Sequence, residues 1–168
     1  MTSIYTTTDS PVGELLLVGD GQTLQGLYMQ EGRKPKRVEP SWSRDDDAFA
    51  DVLGQLAAYF DGGRREFDVP LSLTGNEFEL RVWEALRDIP YGETVSYGVI
   101  ARTIGQPHAA RAVGLANGRN PIAVIVPCHR VIGANGSLTG YGGGLERKRF
   151  LLDLEAGVVP LAAASESL

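Results

Sequence analysis

The 168-residue chain has little of what usually cross-links a protein or builds a metal site: one cysteine and two histidines, His108 and His129. One cysteine forms no internal disulfide and excludes a zinc finger built from several thiolates. No apolar run approaches the ~20 residues of a membrane-crossing helix, so no membrane partner is expected. Met1-Thr-Ser-Ile-Tyr-Thr6 lacks the basic segment and apolar core of a secretory leader. A cytoplasmic location is therefore expected, where a reducing environment suits a free thiol. The hydrophobic content of 43% is that of an ordinary soluble protein, long enough for one compact unit or two small lobes.

Acid is scarce in one stretch. The formal charge is −5, which argues against general adhesion to nucleic acid. Between Thr94 and Arg149, however, the basic residues are Arg102, Arg111, Arg119, Arg130, Arg147, Lys148 and Arg149. Glu146 is the only acid there, which leaves that segment at +6. The excess acid lies earlier, as in Asp45-Asp-Asp47. Such asymmetry suits an anionic partner for the later half, or a solvated basic face without one.

The first half reads as strands followed by a helix. Ile4–Thr8, Glu14–Gly19 and Thr23–Met29 are β-prone, and Gly19-Asp-Gly21 is a hairpin signal. Residues 31 to 44 are polar, with Pro35 and Pro40, and read as a loop. Phe49, Val52, Leu53, Leu56, Tyr59 and Phe60 recur at spacings of three and four. They predict a helix capped by Asp45 or Asp46 and ended by Gly62-Gly63. Phe67, Val69, Leu71 and Leu73 alternate, which predicts a half-buried strand, at an edge because of Pro70.

After Thr74-Gly75-Asn76 helices take over. Phe78, Val82, Trp83 and Leu86 form one stripe, stopped at Ile89-Pro90. A short helix from Ser96 to Ile104, a break at Gly105-Gln-Pro107, and a helix from about His108 to Gly118 make a helix-turn-helix pattern. A last helix runs from Leu145 to Glu155. The reading is an α/β lobe over 1–75, a mainly helical lobe over 76–155, and a mobile tail over 156–168. The chemistry and the positive charge both fall in the second lobe.

The sole cysteine lies in Ile122-Ala-Val-Ile-Val-Pro-Cys-His-Arg-Val-Ile132. An apolar run delivers the thiol into a turn beside an imidazole and a guanidinium. Cationic neighbours favour the thiolate, the nucleophilic form, although a lone cysteine is more often a small buried hydrophobe.

The motif Pro127-Cys-His-Arg-Val131, preceded by Arg111-Ala-Val-Gly-Leu-Ala-Asn-Gly-Arg-Asn-Pro121, resembles the O6-alkylguanine-DNA alkyltransferase family. Tyr91-Gly-Glu-Thr-Val-Ser-Tyr97 and Leu138-Thr-Gly-Tyr-Gly-Gly-Gly-Leu145 match it too, in the same order. The match covers residues 78 to 155. The first 75 residues fit more loosely, as the ribonuclease-H-like companion to a winged-helix-like lobe.

The resemblance implies direct reversal of DNA damage. An alkyl group moves once, without turnover, from guanine O6, with thymine O4 left open, to the protein's cysteine. It gives Cys128 the nucleophile's role, His129 that of its base and Glu155 that of orienting His129, while Asn120 braces the cysteine's turn. Tyr97, Tyr141, Gly142 and Val131 would meet the base. Arg111 would fill the stack left by a flipped-out nucleotide, entering from the minor groove with Ala112, Gly114 and Arg119 alongside. The implied partner is double-stranded DNA carrying O6-alkylguanine, met by a monomer that can bind cooperatively. No cofactor is implied. The structural zinc of some relatives is not expected, because the first lobe has no cysteine or histidine. The fused regulatory domain of some bacterial relatives is likewise not expected.

Taken without the resemblance, the same residues allow other readings. Cys128, His129 and Glu155 could form the acyl-transfer triad of a cysteine hydrolase, which turns over. The helix pair could belong to a sequence-specific regulator, which would leave Pro127–Arg130 unexplained. Glu155 alone reads as a solvated helix end, Arg111 as a phosphate contact, and the tyrosines as half-buried core residues.

Overall fold

The computed structural model describes residues 3–32 and 35–158. Its N-terminal part is a four-stranded sheet in the order β3-β2-β1-β4. Strands β1 (Ile4–Thr8), β2 (Leu15–Gly19) and β3 (Leu24–Met29) form an antiparallel meander. The two-residue β4 (Ser43–Arg44), within the stretch expected to be loop, adds in parallel to β1. All of β2 is buried. At Gly19 a Cβ would meet the Thr23 carbonyl oxygen at 2.6 Å, so the hairpin closes only on glycine.

Helix α1 (Ala50–Phe60) follows a single 3-10 turn, Asp47–Phe49. Of the two candidate caps, Asp45 accepts from the Ala48 N–H, whereas Asp46 is engaged by Thr6 and Arg44. Helix α1 buries Val52, Leu56 and Tyr59. Residues 67 to 73 depart from the expected strand. Their ladder is a single parallel bridge, Leu71 to Leu24, with Leu24 N–H donating to Pro70 O and Ser72 N–H to Leu24 O. Pro70 has no N–H to extend the ladder, and the edge it borders is also needed elsewhere.

That edge is the outer side of β3, which holds a second segment from the far end of the sequence. Leu27 N–H donates to Pro121 O at 2.8 Å, and Ala123 N–H donates to Leu27 O at 3.0 Å. An exposed sheet edge is thereby covered, and the segment leading to Cys128 is anchored on the N-terminal sheet.

The C-terminal part is helical, with a minimal parallel strand pair, β5 (Val95–Ser96) and β6 (Val131–Ile132). Helix α2 (Glu77–Arg87) opens with a full capping box, Asn76 with Glu79. Helix α3 (Tyr97–Thr103) is capped by Ser96, whose hydroxyl accepts from Val99 N–H. Gly105, at φ +80°, turns the chain toward α4 (Ala110–Gly118). The α3–α4 pair is the expected helix-turn-helix. Helix α2 packs on α4, where Trp83 Nε1 donates to Ala116 O. Helix α5 (Leu145–Glu155) closes the fold. One continuous core runs through both parts, from Leu15 and Leu27 through Tyr59 and Trp83 to Leu151. Of the tail expected to be mobile, residues 159–168 lie outside the described residues.

Candidate active site

Cys128 starts a 3-10 turn, Cys128–Arg130, at the end of the segment hung on β3. The approach to it is tightly wound. Val124, buried and β-branched, adopts φ +69°, and Ile125 N–H donates across it to Ala123 O at 2.7 Å. This is a γ-turn of the strained hand, a conformation costing roughly 1–3 kcal/mol unless its surroundings enforce it. At Pro127 (φ −80°, ψ 65°) a second three-residue turn has Cys128 N–H donating to Val126 O.

Asn120 enforces this path. Its Nδ2 donates to Val126 O at 2.8 Å and to Ile122 O at 3.3 Å, and its Oδ1 accepts from Ile122 N–H at 3.0 Å. Asn117 adds a bond from the floor of α4, its Nδ2 donating to Cys128 O at 3.3 Å.

Behind the turn stands a buried ionic cluster. His129 has no exposed surface, and its Nε2 meets Glu155 Oε2 at 2.7 Å. Arg130 grips the same carboxylate from Nε (2.8 Å) and Nη2 (3.0 Å), and gives Nη1 to Ile89 O. Tyr59 of α1 donates its hydroxyl to Glu155 Oε2 at 2.6 Å, and Gly92 N–H donates to Oε1 at 3.2 Å. Burial pushes the Glu155 carboxyl up, but the bonds from His129 and Arg130 outweigh it and hold it far below the usual carboxylate range. Glu155 is thus a buried anion, not the solvated helix end it resembles in isolation.

An ionised carboxylate only accepts hydrogen bonds, so His129 carries its proton on Nε2 and keeps a lone pair on Nδ1. Burial lowers the His129 pKa below its ordinary value against the pull of Glu155, so the ring rests neutral. Among the described residues, His129 Nδ1, Asn117 Oδ1 and Tyr141 Oη have no hydrogen-bond partner. Buried polar atoms are rarely left unmatched outside functional sites. Asn117 and Tyr141 line one cavity with Cys128, and His129 is its chain neighbour.

The thiol differs from the expectation of a thiolate stabilised by adjacent cations. Arg130 is turned away toward Glu155, and His129 is neutral. Burial pushes the Cys128 thiol up, opposed by the Asn120 side chain and by Lys148. Lys148, on α5, is fully buried and donates Nζ to Thr139 O at 3.0 Å. The cation acting on the thiol is therefore Lys148, and the resting sulfur is a thiol.

The cavity has a volume of about 250 Å³ and is lined by Cys128, Tyr141, Asn120, Arg119 and Gly142, with Tyr28 and Met29 of β3 forming the opposite wall. Tyr141 is buried, and Gly142 is exposed at the mouth. The Gly-rich loop touches the N-terminal part: a Cβ on Gly32 would meet Gly143 Cα at 2.8 Å and Gly142 O at 2.9 Å. Among the described residues, no cluster of three or more His, Cys, Asp or Glu side chains is arranged to hold a metal ion. No described helix is long and apolar enough to cross a membrane.

The other expected site residues, Arg119 excepted, lie outside the cavity lining. Val131 is buried in the β5–β6 pair, its N–H donating to Cys128 O. Tyr97 is half-buried, with its hydroxyl 2.7 Å from Thr139 Oγ1. Gly114 packs beside the Tyr97 ring, where a Cβ would sit at ordinary contact distance, 3.7 Å. Arg111 and Ala112 are exposed on the first turn of α4. Arg119 is exposed at its end and pairs with Glu79 at 3.6 Å. Of the seven basic residues in the +6 segment, Arg130 and Lys148 are buried and Arg147 is half-buried, donating to Val12 O and Gly143 O. The outward charge is that of Arg102, Arg111, Arg119 and Arg149.

Four participants went unread in the sequence: Tyr59, Asn117, Thr139 and Lys148. Lys148 had a signal, since it stands three and seven residues before Leu151 and Glu155, on one helical face. Tyr59, which belongs to the apolar stripe of α1, had none.

Comparison with known proteins places this geometry. The profile described as 6-O-methylguanine DNA methyltransferase, ribonuclease-like domain, matches residues 3–73, and that of the same enzyme's DNA binding domain matches residues 77–157. The methylated-DNA–protein-cysteine methyltransferase of Mycobacterium tuberculosis H37Rv is 59% identical over 93% of this chain and 94% of its own. That of Methanosarcina acetivorans is 54% identical over 90% and 97%. The crystal structure of Mycobacterium tuberculosis OGT in complex with DNA matches with a TM-score of 0.88 at 56% identity, covering 95% of this chain and 98% of that one. Matched along both its parts, this chain belongs to the 6-O-methylguanine DNA methyltransferase family.

Proposed function

We propose that this chain repairs alkylated DNA by direct reversal, moving one alkyl group from guanine O6 onto Cys128 in a single irreversible event. The observation that carries this reading is a lone thiol lining a cavity, followed in the chain by a buried imidazole whose Nε2 is fixed on a buried carboxylate. The naming of the relatives as methylated-DNA–protein-cysteine methyltransferases, and the DNA-bound relative, support it.

Displacement at an alkyl carbon needs a soft nucleophile, and a thiolate serves best. Because Cys128 rests as a buried thiol, its proton must leave as the reaction proceeds. His129 Nδ1 takes that proton, directly or through one water, and the Glu155 anion stabilises the imidazolium that forms. The sulfur bonds to the alkyl carbon, the carbon–O6 bond breaks, and its electron pair goes to guanine. Tyr97 faces the base and offers its hydroxyl to the charge that develops there. Asn120 keeps the turn in register, Tyr141 and Gly142 border the base, and Val131 backs the turn from the β5–β6 pair. All bonds made and broken lie between base, alkyl group and thiol, so no cofactor or metal is required. O4-alkylthymine presents the same alkyl–oxygen bond and belongs in the substrate assay.

Guanine O6 lies inside the duplex, so the nucleotide must be flipped out, at a cost of a few kcal/mol. Arg111, exposed at the start of α4, fills the gap from the minor groove. Ala112 and Gly114 allow close approach of that helix, and Arg119 stands at the cavity mouth. We assign residues 1–75 to the companion lobe and 76–155 to the lobe that binds DNA and carries the thiol. The protein acts in the cytoplasm as a monomer that can bind DNA cooperatively. A cysteine hydrolase would turn over, and that difference is decisive.

Cys128→Ser removes transfer to an O6-methylguanine duplex while leaving affinity within about twofold, since docking rests on other residues. Binding by gel shift and transfer by mass spectrometry read the two separately. Methyl still arriving on the Ser variant, or on another residue, overturns the assignment.

Arg111→Ala slows repair of the duplex on the order of tenfold or more, the equivalent of 1.4 kcal/mol or more, but leaves reaction with free O6-benzylguanine nearly unchanged. The free base needs no flipping. Equal slowing of both means that Arg111 serves the pocket or the fold.

Affinity for unmodified duplex falls as salt rises. With four outward arginines on the basic segment, log K against log salt has a slope of about −3 to −4. Binding differs little between two duplexes of unrelated sequence, because the minor groove carries a degenerate code. A flat salt response removes the electrostatic docking surface, and a strong sequence preference favours a regulator.

A further inference from the structure

Glu155 Oε2 accepts two short hydrogen bonds, from His129 Nε2 at 2.7 Å and from the Tyr59 hydroxyl at 2.6 Å. Tyr59 is 96 residues away in sequence, on α1 of the N-terminal sheet part, and is completely buried. We infer that Tyr59 is a positioning residue for the transfer reaction: by sharing Glu155 Oε2 with His129, it sets how strongly the imidazole holds a proton and so how it serves Cys128. This rests on the His129 relay proposed above.

The sign of the effect follows from competition. A carboxylate oxygen that already accepts a charge-assisted bond from a phenol has less negative charge to offer the imidazole. Burial, with the adjacent Glu155 charge, pushes the Tyr59 phenol far above its ordinary range, so it remains a donor at every working pH. Removing its hydroxyl leaves Glu155 more fully to His129 and raises that residue's proton affinity. A base that must be neutral to act then becomes neutral only at higher pH.

The other groups around the pair do not change in such a variant. Arg130, from the turn after Cys128, holds both oxygens of Glu155, which stays ionised. Gly92 N–H holds Oε1. Tyr91 presents its ring to Tyr59 edge-on at 6.1 Å, with Arg65 over it at 5.1 Å and Arg130 at 5.8 Å. Lys148 acts on both His129 and Cys128, and with Arg130 it opposes a charge on the imidazole, while Tyr141 faces the thiol. Phenylalanine keeps the ring among Phe60, Phe67 and Tyr91. The inference also gives the N-terminal lobe a part in the chemistry, since only a docked lobe brings Tyr59 to Glu155.

The chain's two histidines make the test direct, because the exposed His108 serves as an internal reference for His129. Full-length wild type and Tyr59→Phe are titrated by 15N NMR of the imidazoles. Their single-turnover rates with free O6-benzylguanine are measured over the same pH range. The His129 midpoint should rise by roughly one unit, as for a charge-assisted bond partly redistributed. The acid limb of the rate profile should follow it by the same amount. An unmoved His129 midpoint overturns the proposal and marks Tyr59 as a packing residue. So does a uniform loss of rate with an unmoved limb. A midpoint that rises while the limb stays overturns the relay through His129 and the catalytic half of the inference with it. Cys128 as the acceptor is then judged separately by its serine variant. If the phenylalanine variant does not fold, 3-fluorotyrosine incorporation, which strengthens the phenol as a donor, must instead lower the His129 midpoint. A rise or no change there overturns the proposal.

Discussion

A buried carboxylate with five hydrogen bonds is the constraint on which the rest of the site depends. Glu155 ends helix α5 and gathers the Arg130 fork, the His129 ring, the Gly92 amide and the Tyr59 phenol. A buried charge is tolerated only when it is paired and its lone pairs are satisfied, and here every donor is also a structural tie. Arg130 and His129 fix the turn that bears the thiol, Gly92 fixes the exit from α2, and Tyr59 fixes the N-terminal lobe. Losing any one of them leaves a partly unmatched charge in the interior, so this network specifies a single arrangement of the nucleophile.

Reactivity in this arrangement comes from coupling and not from a pre-ionised thiol. Burial keeps Cys128 protonated, which shields a sulfur that has only one use from adventitious oxidants and electrophiles. In the proposed reaction the neutral His129, held by the same surroundings, takes the proton at Nδ1. The proton can be released when an alkyl carbon is in place. The strained turn at Val124 and the three bonds of Asn120 hold the sulfur at the cavity floor.

Much of the fold was legible in the sequence because it depends on local signals. The Gly19–Gly21 hairpin, the Ser96 cap, the break at Gly105 and the helix ending at Glu155 are each written in a few neighbouring residues. Pro70 signalled an edge, but alternation of Phe67, Val69 and Leu71 overstated a strand that two backbone bonds replace. That Cys128, His129 and Glu155 belong to one site was legible through the resemblance, and His129 and Glu155 do meet. What stayed hidden depends on tertiary direction. Nothing in the sequence tells that Arg130 turns from the thiol toward Glu155, that Lys148 takes its place, or that Tyr59 reaches the site from another lobe. The charge count misled for the same reason: two of the seven basic residues in that segment are buried in the site.

The central claim is that this chain takes one alkyl group on Cys128 and stops. Intact mass after mixing with excess O6-methylguanine duplex, followed by peptide mapping, tests it most directly. The account predicts a gain of one methyl group per chain, located on Cys128, with no further repair however long the mixture stands. Unmodified protein that continues to consume substrate, or a methyl group on any other residue, would contradict it.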